Sequence, residues 1–128
     1  MAYTINMEQS AQRHYEDGVS LADAQRHDNA GYHFGLSTEC VIKHVLLRSY
    51  GLRENDDAWW EHFPGLRHAA VLFVGTRADA TLRRIIENEN LMQEWDVKMR
   101  YAKNASLSAA RVTRWKDQAN NALGLLYE

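Results

Sequence analysis

The sequence predicts an all-α fold: an antiparallel bundle of four to five helices, one domain spanning residues 1–128. Three observations lead there. Apolar residues recur at spacings of three and four over most of the chain, the period of an amphipathic helix rather than of a strand. One proline and seven glycines in 128 residues are too few turn formers for a sandwich or barrel of many short strands. The balance of 45% hydrophobic and 25% charged residues is that of a globular domain, not a disordered chain.

The first element runs from Asn6 to about Gln25, with Met7, Ala11, Tyr15, Val19 and Ala22 on one stripe. Asp28 or Asn29 caps the second, which continues to Tyr50 and stops at Gly51. It is the most apolar segment (Leu36, Cys40, Val41, Ile42, Val45, Leu46 and Leu47) and is expected to be the central helix. Residues 51–65 are irregular, because Pro64 and Gly65 break a helix. A short helix from Leu66 to Val74 ends at Gly75-Thr76. A long helix is expected from Ala78 to about Lys103, carrying Leu82, Ile85, Ile86, Met92, Trp95 and Met99. The last runs from Leu107 to Leu126.

Charges fall inside two apolar faces. On the second helix Glu39 and Lys43 lie four apart, acid first, the favourable order for an ion pair. On the expected fourth helix Glu89, Asp96 and Arg100 sit in the arc of Leu82, Ile85, Ile86, Trp95 and Val97. An unpaired buried charge is costly, so Glu39, Lys43, Asp96 and Arg100 are expected to form one polar centre, either a buried network or a cleft. The second helix also carries a polar stripe, His33, Ser37, His44 and Arg48. It reads as a solvated edge or as a set of phosphate-contacting or acid–base groups.

The net charge of −2 excludes a globally basic nucleic-acid binder but not a local basic patch. Between residues 98 and 116 stand Lys98, Arg100, Lys103, Arg111, Arg114 and Lys116 with no acidic residue before Lys116. Tyr101 and Trp115 are interleaved with them. Cations neutralise phosphates and aromatic rings stack bases, so this segment is the candidate RNA surface. The loop before it is acidic, with Glu54, Asp56, Asp57 and Glu61 around Trp59 and Trp60. That pair is the candidate protein interface, since tryptophan is enriched at interface hot spots.

The order of these features resembles the HEPN family of small helical bundles. Glu39-Cys40-Val41-Ile42-Lys43-His44-Val45-Leu46 is similar to that family's motif of a glutamate, a lysine four later and an apolar run. Ala30-Gly31-Tyr32-His33 looks like the entry to its second helix. His62-Phe63-Pro64-Gly65-Leu66 resembles the entry to its third, and Arg100-Tyr101 the pair closing its fourth. The resemblance implies a module that dimerises and binds RNA or a nucleotide, serves a nucleotidyltransferase-type partner, or acts as an RNase in toxin–antitoxin or defence systems. The family's RNase motif is an arginine, four to six residues, then a histidine late in the chain. Here no histidine follows His68. Arg26 and His33 match it formally, but at the junction of the first two helices. The expectation is therefore a non-catalytic binding or adaptor module. An RNase with a rearranged site using Arg26, His33 or His44 is the alternative, and a protein-binding immunity or structural module using Trp59 and Trp60 is another.

No cofactor or metal is expected. The six histidines are scattered, without an HExxH or CxxC pattern. The lone Cys40 rules out an internal disulfide and reads as a small apolar side chain on the central helix. No segment approaches the roughly 18 apolar residues of a membrane span, and residues 1–10 lack the apolar core of a signal peptide. A cytoplasmic location is expected.

Overall fold

The computed structural model describes residues 3–127, and among them every regular element is helical. Helix α1 spans Met7–Asp23. It starts where the Asn6 side chain accepts the Gln9 amide at 2.9 Å, satisfying one of the four free amides of a helix start. Helix α2 spans His27–Tyr50 and is the centre of the fold, with half of its residues buried. It ends at Gly51, whose left-handed φ of 78° a side chain would disfavour.

A three-residue connection returns α2 antiparallel to α1. The Ser37 hydroxyl donates to the Ala11 carbonyl at 2.8 Å, and Tyr15 packs on Phe34. Helix α6, Ala109–Leu123, opens on a Ser108 cap and closes the main group of three. It is antiparallel to α1 and lies alongside α2 from end to end. Trp115 packs at Gly31 near the start of α2, and at its far end Arg48 donates to the carbonyls of Leu125 and Leu126. Three shorter helices, α3 (Asp57–Trp60), α4 (Gly65–Val74) and α5 (Ala80–Ile86), complete the bundle. Arginines close the ends of α4 and α5. Arg77 donates to the Phe73 and Val74 carbonyls of α4, and Arg67 to the Ile86 carbonyl of α5.

The expected helix from Ala78 to Lys103 does not form. Helix α5 stops at Ile86, and residues 87–96 turn back on themselves, with Met92 and Glu94 in the left-handed region at φ 50° and 72°. A helix of about 26 residues would be about 39 Å long, longer than α2 itself. Side-chain bonds to the turned backbone, one local and two from α6, also compete with it. The Asn88 side chain accepts the Asn90 amide, and the Gln118 amide accepts Met92 N–H at 2.8 Å and donates to Asn90 O at 2.9 Å. The apolar residues still go inside by turns: Leu91, Met92 and Trp95 are all buried.

Trp95 is fully buried. Its indole N–H donates to Gly31 O at 3.2 Å, its ring stacks on Tyr32 at 5.5 Å, and Phe63 meets its edge. The ring lies where a side chain on Gly35 would stand. After it Val97–Tyr101 forms one 3-10 turn, capped by the Asp96 carboxylate on Lys98 N–H. Arg100-Tyr101 therefore closes this turn rather than a long helix.

Gly35→Ala is expected to lower stability by about 1–3 kcal/mol or more, because even a methyl group there overlaps the indole. Gly124→Ala, with open space around it, is expected to stay within about 0.5 kcal/mol of the parent. Urea unfolding followed by tryptophan fluorescence measures both.

Candidate functional site

The expected polar centre divides in two. Glu39 and Lys43 are buried on α2 and paired at 3.0 Å. The second Glu39 oxygen lies 2.8 Å from Nδ1 of His62, which comes from the loop before α4 and whose side chain is 43% exposed. Asp96 and Arg100 are not part of this cluster. With no long helix to set them four apart on one face, Asp96 caps the 3-10 turn. Arg100 is exposed, with its guanidinium 5.6 Å from the centroid of the Tyr32 ring. Glu89 stands exposed in the turns after α5. His62 takes the place expected of them. Its pairing with Glu39 has no signal in spacing, because the two are 23 residues apart, one on α2 and the other in the loop after α3.

The basic segment divides as well. Trp115 is a core residue, so it is closed to a base. Arg111 lies over its ring and is engaged by Gln93 O at 2.9 Å and by the Glu94 carboxylate at 3.2 Å. Arg114 is exposed on α6, and Lys116, about 200° further round the helix, is half-buried on another side. Lys98, Arg100, Tyr101 and Lys103 remain together and exposed, with Tyr101 at 83%.

Of that group Arg100 alone lines a groove of about 480 Å³ between the start of α2 and the 99–107 segment. Arg26, His27 and Asn29 form one wall, and Met99, Arg100 and Asn104 the other. Asp28, the one acidic residue in its lining, is already committed. Its carboxylate accepts the amides of Ala105 at 2.8 Å and Leu107 at 2.9 Å, which fastens the loop to α2. This is a different task from the helix cap expected of it. Arg26 and Arg100 are left as the cations of the groove, beside the positive end of the α2 dipole. Nδ1 of His27 is buried with no hydrogen-bond partner among the described residues.

Arg26, His33 and His44 do not converge. His33 and His44 are separated by eleven residues of helix, about 16 Å. Nδ1 of His33 lies 3.0 Å from Nδ1 of His14 on α1. Burial pushes the Cys40 thiol up to about 12, which leaves it an apolar filler rather than a nucleophile. Among the described residues no three His, Cys, Asp or Glu side chains converge on a metal position, and no helix is long and apolar enough to cross a membrane. Of the two adjacent tryptophans, Trp59 packs on the core. Trp60 is 69% exposed, its indole N–H donating to Glu54 O.

No protein-family model, no curated protein and no solved structure matches this chain.

Removing one partner of the Glu39–Lys43 pair leaves a buried charge uncompensated. Glu39→Ala is expected to lower stability by about 3–5 kcal/mol. The double variant Glu39→Leu, Lys43→Met is expected to recover most of that loss, since an apolar pair of similar volume replaces the ions. Thermal unfolding at pH 7 of the single and double variants checks the difference.

Proposed function

We propose that this chain is a non-catalytic binding module that holds a phosphate-bearing ligand, single-stranded RNA or a nucleotide, in the groove at the start of α2. One observation carries the reading: Arg26 and Arg100 line the groove, while Lys98, Tyr101 and Lys103, outside the lining, are exposed on the same short segment as Arg100. Cations and helix amides bind phosphates, and an exposed ring stacks a base without regard to its identity. Asp28, held by two backbone amides, does not pair with either arginine and so leaves their charge available.

The non-catalytic part of the proposal is supported by the engagement of groups that chemistry would need. His33 is bonded to His14, the Glu39–His62 pair lies outside the groove lining, and Cys40 is protonated. The HEPN-like reading of the motifs adds two proposals about assembly, a homodimer and a nucleotidyltransferase-type partner. A second reading, an adaptor that docks a basic protein, is favoured by the exposed Trp60 in its acidic loop.

Fluorescence anisotropy with a labelled single-stranded RNA of mixed sequence, in low salt at pH 7, tests the ligand. Arg100→Ala is expected to weaken binding about tenfold and to reduce the salt dependence by about one ion. Tyr101→Ala is expected to weaken it by about five- to a hundredfold, the loss of one base stack. Trp60→Ala and Arg114→Ala are expected to leave it unchanged. Absence of RNA and nucleotide binding, combined with loss of a protein partner in Trp60→Ala, would favour the second reading.

A further inference from the structure

His14 on α1 and His33 on α2 face one another across the interface of the two longest helices. Their Nδ1 atoms are 3.0 Å apart and their ring centroids 5.2 Å. That nitrogen distance is a hydrogen bond, so one facing nitrogen carries a proton and the other is bare. A further proton can enter at the far nitrogen of the donor ring without breaking the bond, and a charged donor strengthens it. The next one has no such place. It must enter at the bare Nδ1, setting two N–H groups head to head and two cations side by side.

We propose that the His14–His33 pair is an acid-sensitive latch between α1 and α2, closed while the facing nitrogens share one proton and opened when both rings are charged. The charged groups acting on the rings are Arg13 and Asp17 from α1 and Glu39 from α2. Asp17 and Glu39 favour protonation of His14, and Arg13 opposes it. Tyr32 meets His33 edge-on at 5.8 Å. Burial is the largest influence on both rings and holds both below the ordinary value of 6.5, with the neighbouring His33 lowering His14 further.

The sign follows from linkage. The unfolded chain binds these protons more readily, so the contribution of the pair is full above pH 6.5. It declines as pH falls from there through the folded values. One proton taken up on unfolding raises the unfolding constant by up to about tenfold per pH unit. The short connection after α1 supplies Gln25 and Arg26 to the groove edge.

An NMR titration of the imidazole carbons of the intact chain, from pH 8 to 4.5, tests the latch alongside amide exchange across α1. The expected result is that both rings titrate below 6.5 in mutually dependent steps, and that protection factors around Ala11–Gly18, which remove the pH dependence of intrinsic amide exchange, fall in the same range. In His33→Gln, the His14 midpoint is expected to move upward and the acid-induced step in protection to shrink. His14→Gln makes the reciprocal test on His33. Two independent titrations at the ordinary value, or α1 protection factors that do not change between pH 7.5 and 4.5, would overturn the proposal.

Discussion

The seat of Trp95 on the glycine side of α2 is the contact from which the rest of the architecture follows. A single-ring or aliphatic residue at position 95 would not span Gly31, Tyr32 and Phe63 together, and a side chain at position 35 would exclude the indole. To reach this seat the chain must abandon helix after Ile86 and turn twice through left-handed residues. The cost of those conformations is offset by the burial of Leu91, Met92 and Trp95 and by the Gln118 side chain, which serves as both donor and acceptor to the turning backbone. Once Trp95 is in place, the next few residues are laid along the start of α2. The Asp28 carboxylate then fastens the loop by two amides. The groove is thus a product of core packing, and its cations are set by where a tryptophan fits.

The same helix carries the main electrostatic commitment of the core. Glu39 and Lys43 face inward with His62 as a third partner, and the polar stripe beside them is divided between neighbours. Ser37 binds α1 through a carbonyl, His33 binds α1 through a ring nitrogen, and Arg48 closes the end of α6. What looked like one solvated edge is therefore largely a set of inter-helix contacts. Most of these bonds join a side chain to a backbone carbonyl or to another helix, which suits a fold whose short helices need their ends closed.

Much of this was legible in the residues. The three-and-four spacing placed α1, α2, α4 and α6 within a few residues of their observed limits, because each has a polar cap or a glycine stop and one apolar face. The Glu39–Lys43 pair was legible because helical spacing brings residues four apart together. The expected fourth helix stops at Ile86, although Leu82, Ile85, Ile86, Met92, Trp95 and Met99 keep an apparent helical period across a backbone that is turned between Ile86 and Val97. Periodicity reports which residues are buried, and a run of turns can bury the same ones. The error carried Asp96 and Arg100 into the wrong cluster. His62 and His14 were not placed with their partners because those contacts depend on tertiary packing, which no local spacing encodes. The basic segment does not form one surface: Lys98, Arg100, Tyr101 and Lys103 are exposed on one short stretch of chain. Trp115 and Arg111 are taken by the core.

In the function proposed for this chain, the Trp95 seat builds a phosphate-binding groove from the 97–107 segment and the start of α2. Hydrogen–deuterium exchange with and without a short single-stranded RNA tests it most directly, because it locates the contact without altering a residue. New protection is expected only at residues 25–30 and 97–107. Protection centred on the acidic loop at residues 54–61, or no change anywhere under conditions where RNA is bound, would contradict it.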